Sequence, residues 1–240
     1  MRKVTLVALG FAGALAGAPA FAQDEQTAPE ANKHFYAGAF LGDRFGSDQT
    51  FSGANITGQP RVIETPTKDH VTGGVMIGAV AAQGDWGRMR VEGELSASQN
   101  SIKRLVLNDV RRDLLEGRKS ITSEMVNVIY DTPKIANLVR LSAGGGVGNA
   151  SVDYDIRYNV SATGPAINIP TSVSGHLAWQ AIGGASVALG RRLELTTDVR
   201  YLRVTEHQVE RFNATAGTLD SVLGTRYHSL AATAGFRFYL

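Results

Sequence analysis

Charged side chains recur at every second position in several stretches of this 240-residue chain. In residues 86–98 they alternate with the apolar Val91 and Leu95, and similar alternation follows near residues 140, 196 and 237. Because side chains of a β-strand point to opposite faces in turn, each set shares one face. The charged residues in question are Arg88, Arg90, Glu92, Glu94, Arg140, Glu194, Asp198, Arg200 and Arg237. If these faces converge, the five cations and four anions must pair, since an unpaired buried charge is costly. We expect a salt-bridged network, with a gated ion path or a proton relay as the alternative.

Other residues that could support catalysis or metal binding are poorly placed. His228 and Ser229 are adjacent, so in a strand they point to opposite faces and cannot form a nucleophile and base pair. The four other histidines lie far apart, without the carboxylate spacing of a triad or metal site. The glycines at 144–146 precede no lysine of a phosphate-binding loop, and cysteine is absent. We expect no catalytic site, no metal and no cofactor.

A basic segment interrupts the pattern at residues 99–119. It contains six cations and three anions, with leucines interleaved. The cations are Lys103, Arg104, Arg111, Arg112, Arg118 and Lys119. Such an excess suits an anionic partner, either lipopolysaccharide or a host polysaccharide. The alternative is a solvated loop packed on its own leucines.

The first residues indicate export. Arg2 and Lys3 precede an apolar run over 4–18, and residues 20–22 (AFA) form a cleavage site. We expect residues 1–22 to be a signal peptide and residues 23–33 a flexible lead-in. Removing 1–22 takes two cations and no anions from 24 basic and 22 acidic residues, leaving a formal charge near zero. This balance argues against nucleic acid as a partner.

The rest of the chain divides into eight strand candidates joined by connections that alternate between long and short. We predict the strands at 34–45, 70–82, 86–98, 120–131, 138–150, 176–189, 193–203 and 226–240. The long loops are 46–68, 100–119, 151–174 and 205–225. An even number of strands with short turns at one end and long loops at the other is typical of transmembrane barrels. The sequence therefore predicts an all-β, eight-stranded antiparallel up-and-down barrel, with the first strand's facing left open.

Several stretches in this order resemble the opacity-type, OmpA-like outer-membrane β-barrel family of Gram-negative surface proteins. They are RVEGELSAS (90–98), NVIYD (127–131), LSAGGGVG (141–148), LAWQAIGGAS (177–186), LELTTDVRY (193–201) and the aromatic ending. The resemblance implies Sec-type export to the outer membrane, contact with lipid and lipopolysaccharide, and assembly by the barrel-assembly machinery. It also implies that Phe236, Phe238 and Leu240 form the assembly signal, although Leu240 stands where the family usually has Phe.

The third long loop begins with further alternation from Val152 to Val160, and residues 166–174 could pair back onto it. We expect a hairpin there whose free edge could bind a host or surface ligand by strand addition. The function expected is a non-enzymatic surface protein, structural or adhesin-like, with a lumen closed by charges. The alternative is a narrow conduit for ions or small apolar solutes.

Overall fold

The computed structural model describes residues 34–45, 48–68, 70–161 and 164–240. The predicted signal peptide (1–22) and lead-in (23–33) lie outside these ranges. Twelve strands occupy the described residues. They are β1 (Phe35–Phe45), β2 (Gln49–Asn55), β3 (Pro60–Thr65), β4 (His70–Gly84), β5 (Gly87–Ser101), β6 (Leu105–Leu107), β7 (Val110–Arg112), β8 (Leu114–Asp131), β9 (Val139–Asn159), β10 (Ala166–Ala188), β11 (Leu193–Asn213) and β12 (Leu219–Tyr239).

Eight of these strands form a closed antiparallel ring in the order β1-β4-β5-β8-β9-β10-β11-β12, and β12 pairs back onto β1. Tyr36 lies opposite Tyr239 and Phe45 opposite Leu230 in the closing pair. Closure removes the unpaired edges that an open sheet would present to lipid. The predicted eight-stranded up-and-down barrel is confirmed.

The outer face of the ring is apolar and the inner face is polar. Val91 and Leu95 are exposed, whereas the alternating Arg90 and Glu92 are each only 2% exposed. We call the exposed outward-facing apolar residues the apolar belt: Leu41, Val75, Ile77, Val91, Leu95, Val126, Val128, Leu141, Val147, Leu177, Trp179, Leu195, Val199, Leu230, Phe236 and Phe238. This inside-out arrangement suits a barrel whose solvent is hydrocarbon. No helix among the described residues is long and apolar enough to cross a membrane.

Aromatic residues lie at both ends of the belt. At the short-turn end the rings of Trp86 and Tyr130 stack with centroids 6.1 Å apart, and the Tyr130 hydroxyl donates to the Trp86 carbonyl. At the other end the rings of Trp179 and Tyr201 lie 5.4 Å apart. Rings with an apolar body and a polar edge suit the two membrane interfaces.

The facing of the first strand is also settled, because Tyr36 and Phe40 point inward and Phe35 and Leu41 outward.

The strands continue well beyond the belt at the end where the long connections lie. Segments 46–68 and 100–119 contain the hairpins β2–β3 and β6–β7, and 205–225 belongs mostly to β11 and β12. These three segments are long connections between barrel strands, as predicted, and they contain paired strands where irregular loops were expected. The predicted hairpin in the third loop is confirmed, because Ala166 pairs with Asn159 and Val173 with Val152.

The extended strands enclose a second, apolar interior, which we call the extramembrane core. Its buried residues include Phe51, Ile63, Leu105, Ile121, Val152, Tyr154, Ile156, Tyr158, Ile167, Ile169, Val204, Val209, Leu223 and Tyr227. The hairpin β2–β3 joins this part of the sheet through β12, where Ser221 pairs with Asn55. In β6–β7 the turn residues Asn108 and Asp109 both have positive φ, as a two-residue hairpin turn requires.

Candidate functional site

The lower lumen, near the short turns, holds an ion-pair cluster centred on Asp131. Arg88 Nε donates to Asp131 Oδ2 at 2.6 Å, and Arg90 binds both carboxylate oxygens through Nε at 2.8 Å and Nη2 at 2.9 Å. Arg88 also forms a bidentate pair with Glu194 at 2.8 and 3.1 Å. Arg237 Nη1 lies 3.4 Å from Glu194 Oε2 and 3.8 Å from Asp131 Oδ2. All of these charged side chains are buried, so their pairing is required for their ionised forms to persist.

Two tyrosines complete this lower cluster. Tyr36 donates to Glu92 at 2.7 Å and accepts from Arg90 at 3.0 Å, while Arg90 also pairs directly with Glu92. Tyr239 donates to Glu194 at 3.0 Å. Since Tyr36 and Tyr239 are opposite each other in the closing strand pair, the cluster links the first and last strands of the ring.

A second polar cluster lies higher in the lumen around Glu94. Its Oε2 accepts from Arg200 at 2.6 Å, from Asn127 at 2.8 Å and from Gln180 at 3.2 Å. Arg200 also contacts Asp198 at 3.3 Å. These donors come from β8, β10 and β11, so the cluster joins widely separated strands across the lumen.

Side chains fill the lumen between these clusters. The guanidinium of Arg200 lies 4.1 Å from the ring centroid of Phe40, and Arg44 donates to Ser229 at 2.7 Å and Thr72 at 3.1 Å. The cavity among them is about 10 Å³, which is room for about one water molecule. Two glycines make this filling possible, because a Cβ at Gly74 would lie 2.6 Å from the Phe40 ring and one at Gly78 2.4 Å from the Tyr36 ring. An eight-stranded barrel has an interior of about this capacity.

All nine charged residues singled out in the sequence are buried. Eight of them take part in the contacts described above, and Arg140 donates to the backbone oxygen of Thr132 at 3.0 Å. Sequence reasoning missed Asp131, Arg44 and the two tyrosines. Asp131 lies on the same face of β8 as Asn127. This alternation was the feature of the sequence that could have identified Asp131 as a lumenal residue.

The six cations of residues 99–119 do not form one surface. Lys103, Arg104, Arg111 and Arg118 are exposed, and Arg112 is half-buried opposite Leu105. Lys119 is only 1% exposed, so its assignment to a surface loop is corrected. It belongs to the inward row of β8, between Arg118 and Ser120, and enters the extramembrane core. At the end of the chain, the predicted assembly residues Phe236, Phe238 and Leu240 are all exposed on the outer face.

A chain of hydrogen bonds crosses the extramembrane core. Lys119 Nζ donates to Gln49 Oε1 at 3.3 Å, Gln49 Nε2 to Tyr154 Oη at 2.6 Å, and Tyr154 Oη contacts His207 Nε2 at 2.7 Å. His207 Nδ1 lies 3.1 Å from the Thr205 carbonyl, and the His176 ring lies 5.4 Å from that of His207. With neutral His207, Nδ1–H donates to Thr205 and Nε2 accepts from Tyr154, so every link has one donor.

Burial shifts the pKa values of three groups in this chain. It lowers the pKa of Lys119 to about 7 and lowers that of His207, because the charged forms lose hydration. Burial also raises the pKa of the Tyr154 hydroxyl, which keeps it protonated. Burial therefore favours the neutral forms of Lys119, His207 and Tyr154 in this chain of hydrogen bonds. No set of three or more potential metal-ligating side chains occurs among the described residues.

His176 and His207 each follow an irregularity in their strand. The register of β10 against β9 shifts between Val173 and His176, and that of β11 against β12 between Val204 and His207. Between β10 and β11 the paired register is interrupted from Asn168 to Ala178. The two bulges therefore bring the imidazole rings of His176 and His207 close together on the neighbouring strands β10 and β11.

The fold is similar to solved outer-membrane proteins. The outer membrane protease OmpT from Escherichia coli matches with a TM-score of 0.56 and 8% identity, covering 86% of this chain and 97% of that one. The outer membrane protein OprG from Pseudomonas aeruginosa matches with a TM-score of 0.52 and 11% identity, covering 86% and 96%. At these identities the likeness concerns the fold alone. Neither a protein-family model nor a curated protein sequence matches the chain, so the opacity-type resemblance stays a prediction.

Proposed function

We propose that this chain is an outer-membrane surface protein in which the barrel is a closed anchor and the extramembrane part binds a ligand. The observation that carries the proposal is that the strands continue past the apolar belt and enclose an apolar core of their own. Such a core is unnecessary for an anchor or a pore. It does supply a rigid support for binding residues outside the membrane.

The filled lumen supports an anchor rather than a conduit. Three guanidinium groups face three carboxylates in the lower cluster, from Arg88, Arg90 and Arg237 and from Glu92, Asp131 and Glu194. A passing ion would have to displace bonds shorter than 3 Å between buried, fully charged partners, which costs several kcal/mol. The proposed role of the charges is to close the barrel.

The β6–β7 hairpin and the start of β8 supply the proposed binding surface. Arg104, Arg111 and Arg118 are exposed there, while Leu105 and Leu107 are buried in the extramembrane core and Leu115 is exposed. Arg111 and Arg118 lie on paired strands, opposite Val106 and Asp155, whereas Arg104 directly precedes β6. Anionic polysaccharide, either lipopolysaccharide or a host glycan, is the ligand class that the charge favours.

The β9–β10 hairpin is a weaker candidate than its sequence indicated. β9 pairs with β8 from Leu114 opposite Tyr158 onwards, so the edge expected at 152–160 is occupied on both sides. Strand addition by a ligand is therefore not available to β9.

Binding of labelled dextran sulfate to proteoliposomes tests the surface, with neutral dextran as the polymer control. The triple variant R104Q/R111Q/R118Q should lose most of the salt-sensitive binding. The matched variant R191Q/R192Q changes two arginines in the turn at the opposite end of the barrel and should keep it. Equal binding by both variants would rule out this surface.

Planar-bilayer recording of the same purified protein tests the anchor. A lumen closed by charges should give no steady single-channel current. A current of constant amplitude would instead support the alternative function, a narrow conduit.

A further inference from the structure

The wall around the extramembrane core is interrupted between β10 and β11. Among the described residues, those at 169–177 of β10 have no register partner on β11. Apart from the two bulges, β10 still pairs with β9 at this level and β11 still pairs with β12. We call residues 169–177 of β10 and 205–211 of β11 the seam.

Side chains bridge the seam in place of backbone pairs. The backbone N–H of Glu210 donates to Thr171 Oγ1 at 3.2 Å, and Thr171 Oγ1 donates to the Glu210 carbonyl oxygen at 3.3 Å. Toward the membrane, the rings of His176 and His207 lie 5.4 Å apart across the seam. The seam is therefore closed by side-chain contacts, whereas the neighbouring strand pairs are closed by a backbone ladder.

Solvent reaches the inward-facing row of β10 at the seam. Val173 and Ala178 on this row are buried, whereas His176 between them is half-buried. His207, whose ring lies against that of His176, is only 3% exposed. A proton from the medium therefore reaches His207 by way of His176.

The surroundings of the two histidines offer no buried carboxylate. The charged and titratable side chains that face them, connect to them or lie on the seam are Tyr154 on β9, Tyr227 on β12, Lys119 on β8, Asp48 before β2, Glu206 and Glu210 on β11, and Arg226 on β12. The three carboxylates of this set are exposed, and that of Glu206 is paired with Arg226 at 2.7 Å. A positive charge gained by either histidine is therefore not offset inside the wall.

Protonation of His207 breaks the chain of hydrogen bonds through the extramembrane core. Neutral His207 accepts from the Tyr154 hydroxyl through Nε2, whereas an imidazolium has two donors and no acceptor. Tyr154 already accepts from Gln49, so its own hydroxyl proton loses its acceptor. A second proton on His176 places two like charges on neighbouring rings. Burial lowers the pKa of His207, so acid favours a state in which this ring is hydrated.

We propose that the seam is an acid-operated opening of the extramembrane wall. When His176 and His207 both carry a proton, β10 and β11 separate at the seam and water enters the extramembrane core, while the membrane-spanning barrel stays closed. The inference does not depend on the basic surface proposed above, which lies on β6, β7 and β8.

Spin labels on either side of the seam test the opening, because the chain contains no cysteine of its own. Ser172 and Gln208 are exposed on β10 and β11, so the variant S172C/Q208C places two nitroxides across the seam. In proteoliposomes, the dipolar broadening of its electron paramagnetic resonance spectrum should fall by about half or more between pH 7.5 and pH 5. The control E210C/V222C labels directly paired residues of β11 and β12 and should keep its broadening. No change in the seam pair, or an equal loss in both pairs, would overturn the proposal.

Histidine variants of the seam-labelled protein test the trigger. His176→Gln with His207→Gln should keep the broadening at pH 5, since the amide of Gln donates and accepts but gains no proton. His228→Gln changes a histidine exposed on β12 and should open as the parent does. If the double variant lacks the parent's broadening at pH 7.5, His176→Gln alone replaces it and should move the opening to lower pH, because it removes the repulsion between the rings. Opening of the histidine variants at the parent's pH would assign the effect to other groups and overturn the trigger.

Discussion

Replacing Asp131 with Asn should destabilise the barrel more than any other single neutralisation in the lumen. Asp131 is fully buried and binds Arg88 at 2.6 Å, Arg90 at 2.8 and 2.9 Å, and the Ser142 hydroxyl at 2.8 Å. Asn keeps the size of the side chain but removes its charge. The lower cluster would then hold three guanidinium groups against two carboxylates. Removing one partner of a buried ion pair costs about 3–5 kcal/mol, because the remaining charge is left uncompensated.

Urea unfolding in detergent micelles, followed by tryptophan fluorescence, measures this loss. With a slope of about 2 kcal/mol per molar urea, a loss of about 4 kcal/mol moves the midpoint down by about 2 M. Asp85→Asn is the control, because Asp85 is exposed in the turn between β4 and β5. A midpoint for Asp131→Asn within error of the control would refute the view that the cluster depends on this carboxylate.

Three further predictions concern the outer face and the extramembrane core. Val91→Arg should make the free energy of folding into liposomes less favourable by ~2–4 kcal/mol, because Val91 faces lipid. Val91→Leu should fold as the wild type does. The pKa of His207 is lowered from its ordinary 6.5 in the folded state, so the unfolded chain binds more protons and stability must fall as pH drops below 6.5. Hydrogen exchange in the extramembrane strands should therefore be faster at pH 5 than at pH 7, and His207→Gln should weaken that dependence; an unchanged dependence would exclude His207 as its source. Lys119→Met should raise the unfolding midpoint at pH 6, since burial has lowered the lysine pKa to about 7 and the charged form is the costly one; a lower midpoint would contradict this.

The spanning part of each strand was predictable because lipid imposes a strict rule on the outer face. In residues 193–201 every second side chain is apolar, aromatic or a threonine, and the alternation is therefore visible in one sequence. The same rule identified the buried charged residues, since only the opposite face remained for them. Asp131 escaped because it occupies the last position of β8, beside the turn, where residue type alone does not separate lumen from solvent.

The added hairpins were not predictable by the same means. In β2 and β3 the apolar residues that enter the core, Phe51 and Ile63, stand among Gly, Ser, Thr and Pro, which are typical of loops. β2 pairs with β12, more than 160 residues away in the chain, and β3 pairs with β2 and with β6. Such strands form by pairing with a strand that is distant in the sequence. The periodicity of the local sequence contains little information about this pairing.

The membrane boundary is nevertheless encoded in β9. Its even-numbered residues point inward along the whole strand, from Arg140 to Tyr158. Up to Val147 the inward face is polar or glycine and the outward face is mostly apolar. From Val152 the inward face becomes apolar, with Ile156 and Tyr158, and the outward face carries Asp153, Asp155 and Arg157. β9 thus crosses from lipid into water without a change of register. Its polar and apolar faces exchange sides where the surrounding medium changes. The exchange begins at Asn149, which pairs with Glu124 on β8, where the outward row also turns polar. The agreement of two neighbouring strands places the boundary at that row, with the ion-paired lumen on one side and the apolar extramembrane core on the other.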